Sequence, residues 1–151
     1  MLTSFEKCME AINNGEYPDH PLIQLDEAFV NENGCIRNLA LRPVTSVAVI
    51  LSVEGAIRAN HYHKTDWHLS YVLSGKVIYY ERSVGDTNIP KPYIFKQGQM
   101  FFTPPMAEHA MVFDEETIII TMAKNVRSHE SHESDVVRVR FIEHGHSVDP
   151  G

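Results

Sequence analysis

His61 and His63 are separated by one residue, His68 follows five residues later, and His109 lies beyond a stretch punctuated by glycine and proline. In an extended strand, residues i and i+2 face the same side, so these first two imidazoles project together while Tyr62 points away. Four imidazoles can converge on one ion if the intervening strands curl into a small barrel. Such donors suit a divalent transition metal such as Zn, Fe, Ni or Mn and disfavour Mg or Ca. The candidate metal ligands are therefore His61, His63, His68 and His109.

The segment from Lys64 to Trp67 is long enough for a tight connection that returns the chain, so that His68 begins the neighbouring strand. Ser74-Gly75 is a two-residue hairpin signal. Closing it with Leu73 opposite Lys76 sets Val72 against Val77, Ser70 against Tyr79 and His68 against Glu81. This register predicts Glu81 as the carboxylate that orients a ligating histidine, with a solvated rim position as the plainer alternative. It also turns Tyr79 toward the pocket, where its hydroxyl could bind or protonate a ligand. Tyr79 and Glu81 are the candidate catalytic pair.

The elements that must position these groups are mostly strands. Thr3 and Glu6 form a T-x-x-E capping box, and Phe5, Cys8, Met9 and Ile12 recur at helical spacing until Asn13-Asn14-Gly15, so one short helix over residues 1–16 opens the chain. From there the signals are strand and turn: Asn33-Gly34 between Phe29-Val30 and Cys35-Ile36, a β-branched run from Val44 to Val53, then short strands broken by Gly55, Gly75, Gly85, Gly98 and Pro104-Pro105. Thr117 to Met122 reads as the last core strand and Val136 to Ile142 as an edge strand. Regular short strands with no long helix between them predict an all-β antiparallel sandwich or closed barrel over residues 17–142. Residues 143–151 have little to bury and read as a flexible tail.

Composition narrows the function. The chain has 151 residues, enough for one domain with a core of its own, so a metal here is expected to be functional rather than structural. With 20 acidic against 13 basic residues and a net charge of -7, and no basic stripe, nucleic acid is not an expected partner. Two cysteines, Cys8 and Cys35, do not make a secreted disulfide framework. No segment approaches the ~20 apolar residues that span a bilayer. A cytoplasmic protein with no membrane partner is expected. His20 reads as an ordinary surface residue. His129 and His132 lie in the charged run Ser128-His129-Glu130-Ser131-His132-Glu133 and read as solvated surface; His144 and His146 fall in the tail.

Gly55, His61, His63, His68 and Gly75 resemble the first cupin motif, G-x5-H-x-H-x4-E-x6-G, in every spacing, with histidine where glutamate usually stands. Gly98, Pro104 and His109 resemble the second, G-x5-P-x-G-x2-H-x3-N, with Met106 and Phe113 in place of its second glycine and its asparagine. The resemblance implies a small antiparallel jelly-roll barrel with metal ligands lining one mouth. Four neutral imidazoles would leave a divalent ion near its full charge, a stronger Lewis acid than a site with one carboxylate and a centre that favours anionic substrates.

The segment from Arg58 to Lys64 is also similar to the signature of sugar-nucleotide cupins, the dTDP-sugar 3,5-epimerases and the capsular-polysaccharide reductase-epimerases. That match implies that Arg58 binds substrate phosphate, for which its planar fork is suited. The epimerases' tyrosine acid near the last barrel strands has no counterpart in Thr121 to Val126. Metal-dependent isomerisation or epimerisation of a sugar or sugar nucleotide is the leading expectation. A non-haem iron dioxygenase and a non-catalytic carbohydrate-binding module are the alternatives. Family resemblance also implies a homodimer, with the N-terminal helix or an edge strand available to a second copy.

Overall fold

The computed structural model describes residues 1–143 together with 146 and 147, the last two by backbone pairing only. In chain order the elements are helix α1 (Ser4–Asn13), strands β1 (Leu22–Ile23), β2 (Phe29–Asn31), β3 (Gly34–Ile36), β4 (Ser46–Ser52), β5 (Ile57–His63), β6 (His68–Ser74), β7 (Lys76–Ser83), β8 (Pro92–Lys96), β9 (Met100–Thr103), β10 (Ala107–Val112) and β11 (Thr117–Ala123), helix α2 (His129–Asp135), and strands β12 (Val136–Arg138), β13 (Ile142–Glu143) and β14 (His146–Ser147). Two five-stranded antiparallel sheets, ordered β1-β9-β6-β11-β4 and β12-β5-β10-β7-β8, form the jelly-roll. Their inner faces enclose Val72, Val77, Tyr79, Phe95, Phe101, Phe113 and Ile119.

Both outer faces are partly covered. α1 has the expected reciprocal capping box between Thr3 and Glu6, and its Phe5, Met9 and Ile12 pack on Trp67, Leu69, Met100, Phe102 and Met122 outside the first sheet. Each such burial is worth roughly 1.5–3 kcal/mol, which is what holds α1 against the barrel. Outside the second sheet, Phe141 and Ile142 pack with Ala110, Ile57, Tyr80 and Val112. Arg82 lies 5.0 Å over the Phe141 ring and donates to Glu108 at 2.8 Å. On the edge strand β4, Val47, Val49 and Leu51 alternate outward into solvent.

The β2–β3 hairpin forms around Glu32-Asn33, with Asn31 opposite Gly34. The edge strand expected over residues 136–142 is split into β12 and β13. Ile142 and Glu143 pair with Ser147 and His146; the rest of the expected tail, residues 144–145 and 148–151, lies outside the described residues, and with it His144.

The Ser74-Gly75 turn departs from expectation. It does not close a hairpin, because β6 belongs to the first sheet and β7 to the second. β6 pairs with β9 and β11 instead, bringing His68 opposite Thr103 and Ala123. Nor does β6 neighbour β5, which lies between β12 and β10. The cause is a contact from far along the chain: Thr117 Oγ1 accepts from the Lys76 N–H at 3.2 Å and donates to the Lys76 carbonyl at 2.9 Å, drawing the chain out of the first sheet. Gly75 takes φ +84°, and a Cβ there would stand 2.4 Å from Thr117 Oγ1 and 2.5 Å from the Glu116 carbonyl. Among the described residues no helix is long and apolar enough to cross a membrane.

Gly75→Ala should lower unfolding stability by about 2–4 kcal/mol, through left-handed backbone strain and backbone collision together. Gly98→Ala, at φ +88° with open space around it, should cost only about 1 kcal/mol. Urea denaturation of the two variants checks the difference.

Candidate metal centre

β5 and β10 carry three of the histidines, and an irregularity in β5 sets their direction. His109 pairs with His61, yet Ala110 pairs with Ala59, so Asn60 is an extra residue in the ladder. Ala59 and Asn60 both take left-handed backbone, at φ 70° and 55°, a conformation that asparagine tolerates better than most residues. Asn60 is held on both sides: its Nδ2 donates to the Ile142 carbonyl at 2.8 Å and its Oδ1 accepts from the Ile142 N–H at 3.1 Å. This bulge shifts the alternation of the strand. Arg58, opposite Met111, and His61, opposite His109, therefore share the inner face although they are three positions apart.

The donor atoms of His61, His63 and His109 all lie within 4.8 Å of one another, and those of His63, Asp66 and His68 form a second such group. The rings of His61 stand 4.7 Å from His63 and 4.8 Å from His109, and His63 lies 4.5 Å from His68. The four sequence-predicted histidines thus adjoin, with His63 common to both groups. His109 Nδ1 donates to the Ala107 carbonyl at 2.9 Å, which leaves Nε2 as the unprotonated donor.

The carboxylate beside His68 is Asp66, with Oδ2 3.0 Å from Nε2, not Glu81. Because β6 and β7 lie in different sheets, Glu81 sits opposite His109 and accepts from the Tyr79 hydroxyl at 2.7 Å. Tyr79 is wholly buried, and its hydroxyl also meets Thr103 Oγ1 at 2.9 Å. Neither Tyr79 nor Glu81 lines the pocket; Thr103 does. Burial and the neighbouring Glu81 charge raise the Tyr79 hydroxyl well above its ordinary range. Burial likewise raises Glu81 despite the hydrogen bond from Tyr79.

Burial, reinforced by the charges of neighbouring histidines, depresses His61 to about 3 and His63 further still. His109 is depressed to about 4, mainly by burial. Burial pushes Asp66 up, but the hydrogen bond and charge of His68, with the N–H groups of Asn125 and Trp67, outweigh it and hold the carboxyl low. Neutral imidazoles beside an ionised carboxylate are what a divalent ion requires.

One observation tests the fit directly. His63 is 1% exposed, and neither ring nitrogen has a hydrogen-bond partner. The Asp135 carboxylate stands 3.7 Å from Nδ1, too far for a hydrogen bond. A buried polar atom left without a partner costs about 1–3 kcal/mol. A transition ion held by His61, His63 and His109 would satisfy one of the two His63 nitrogens, and the donor set fits such an ion.

The site opens into a pocket of about 310 Å³, lined by Arg58, His61, His68, His109, Arg127, His132 and Arg138 among others. Arg58 is anchored by donating to Ser52 Oγ at 2.8 Å and to the Leu51 carbonyl at 3.0 Å. A larger open groove of about 680 Å³, lined by Lys64, Lys124 and Asp135 among others, contains no histidine. His132 corrects the reading of the Ser128–Glu133 run as solvated surface. The run forms α2, and its His132 ring lies 5.6 Å from His63 and 5.9 Å from His61. The sequence signal was the spacing of His132 and Asp135, three residues apart on one helical face. His20 pairs edge-on with Tyr93, away from the site.

Residues 49–123 match the family model described as Cupin domain, and with the two-sheet jelly-roll this places the chain in the cupin superfamily. No curated protein matches it. Among solved structures, a 3,4-ketoisomerase from Helicobacter canadensis superposes with a TM-score of 0.65 at 16% identity, over 80% of this chain and 90% of its own. QdtA, a 3,4-ketoisomerase from Thermoanaerobacterium thermosaccharolyticum, in mutant form with TDP-4-keto-6-deoxyglucose, gives 0.63 at 16% over 78% and 85%. The 3,5-epimerase RmlC from Legionella pneumophila, in complex with dTDP-4-keto-L-rhamnose, gives 0.63 at 13% over 82% and 74%. At these identities the likeness is one of fold.

The depressed histidines make apo-protein stability pH-dependent. The unfolded chain takes up protons below about 6.5, whereas folded His61 and His109 do so only near 3 and 4. Their contribution is therefore complete above about pH 6.5 and declines as pH falls toward 4. The urea midpoint of metal-free protein should drop across that window, and His109→Gln should flatten the slope.

Proposed function

We propose that this cupin is a metal-dependent isomerase or epimerase of a sugar nucleotide. The observation that carries the reading is the grouping of His61, His63 and His109, with the unpartnered nitrogens of His63, at the floor of a pocket bearing three arginines. His68 adjoins the group through His63 and completes the proposed ligand set. The fold likeness to a ketoisomerase in complex with TDP-4-keto-6-deoxyglucose and an epimerase in complex with dTDP-4-keto-L-rhamnose supports the substrate class.

In this reading Arg58 holds a phosphate with the N–H groups that Ser52 and Leu51 leave free, and Arg127 and Arg138 add positive charge along the same wall. When bound, a divalent transition ion supplies Lewis acidity that lowers the cost of negative charge developing on a substrate oxygen. Tyr79 and Glu81 act from behind the wall. Their shared proton, retained by burial, reaches the pocket only through the Thr103 hydroxyl. A homodimer belongs to the same proposal, and the outward apolar row of the edge strand β4 supports it.

Wild-type protein should exchange a sugar carbon-bound proton of TDP-4-keto-6-deoxyglucose with deuterated solvent, followed by proton NMR. Chelation should abolish the exchange and one divalent ion restore it. Full exchange by metal-stripped protein would sink the metal reading, and oxygen uptake under iron would favour a dioxygenase. Arg58→Lys should raise KM about tenfold or more with a smaller change in kcat, because lysine lacks the planar fork.

A further inference from the structure

His132 belongs to none of the cupin motif positions, since α2 follows the last barrel strand β11. Nevertheless it faces the metal centre. α2 begins at Ser128, whose hydroxyl accepts from the Ser131 N–H at 3.2 Å. It ends at Asp135, whose carboxylate accepts from the Thr65 N–H at 2.9 Å, the Thr65 hydroxyl at 2.8 Å and the Asp66 N–H at 3.0 Å. The Lys64 N–H donates to the Asp135 carbonyl at 2.9 Å as well. The helix is therefore fastened to the connection between His63 and His68. One turn before Asp135, His132 is held across the open side of the site.

Distances are compatible with a shared ion. An imidazole bound at about 2.1 Å places its ring centre about 3.2 Å from the metal, so two rings on one ion stand at most about 6.4 Å apart. His61, His63 and His109 are separated by 4.7, 4.8 and 5.4 Å. His132 stands 5.6 Å from His63 and 5.9 Å from His61, within the same limit. Its nitrogens meet no hydrogen-bond partner among the described residues. They lie outside the tight donor group, so engagement takes a change of rotamer or a small approach of the short helix.

We infer that His132 is a further nitrogen donor to the metal, carried by α2 and closing the pocket side of the site. The inference rests on the metal-dependent reading above. It assigns α2 a role in which occupancy of the site is transmitted, through His132 and Asp135, to a segment outside the barrel. The ligand class is a divalent transition ion with intermediate preference for nitrogen, tested with zinc and cobalt alone.

Zinc affinity by chelator competition and the visible spectrum of the cobalt form should be compared in wild type, His132→Gln and His129→Gln. His132→Gln should lose at least the ~10-fold in affinity that removing a supporting partner costs, and its cobalt absorption should change in intensity. His129→Gln should match wild type. Equal affinity and an unchanged spectrum in His132→Gln would overturn the inference while leaving the metal reading intact. Failure of wild type to bind either ion would overturn both. If His132→Gln misfolds, nitrogen NMR of wild-type histidines decides: a zinc-induced shift of a His132 nitrogen supports the inference, and its absence defeats it.

Discussion

The structure is organised around an imidazole that has been taken out of water and given nothing to bond. Most buried polar groups in proteins find a partner, and where one does not, the surrounding structure must hold it in place against the cost. His63 is held by β5 pairing with β10 on one side and β12 on the other. It is enclosed by three more histidines and by the underside of α2. A domain of this size gains enough from its core to carry that cost. The apolar clusters on both sheets make the deficit local rather than global.

The second constraint is the Asp135 carboxylate. It collects three donors from the connection between β5 and β6, a stretch with no ladder of its own. One buried acceptor thus fixes the loop that separates two candidate ligands and the helix that overhangs them. The two carboxylates divide the work: Asp66 orients His68 and receives the Asn125 N–H, while Asp135 joins the loop to α2. The barrel supplies rigidity, and these two residues convert it into orientation.

Much of this architecture was legible in the sequence. The capping box at Thr3, the strand periodicity and the motif spacings around His61, His63, His68 and His109 lead to an antiparallel jelly-roll with a short leading helix. The failures have physical causes. Ser74-Gly75 has the composition of a hairpin turn, but the Thr117 hydroxyl, distant in sequence, takes the following backbone groups into the other sheet. Glu81 consequently stands beside Tyr79 rather than His68, and the carboxylate at His68 is Asp66, which strand alternation does not reveal because it lies in the preceding loop. His132 was hidden by its charged neighbours. A seven-residue helix with an almost wholly polar sequence offers no apolar stripe, and only its tether to Thr65 and Asp66 shows which side faces inward.

The extra residue in β5 has an implication for how such a chain can change. Before Asn60 in the chain the inward positions are even-numbered, and after it they are odd-numbered. If the bulge flattened into a strand of ordinary pleat with all its residues kept, positions 58 and 61, three apart, would fall on opposite faces of the sheet. A one-codon deletion of Asn60 would instead leave the guanidinium two positions from the imidazole and keep both on the inner side, at the loss of the clamp on Ile142. The shared wall of arginine and histidines therefore tolerates a missing residue better than a straightened strand.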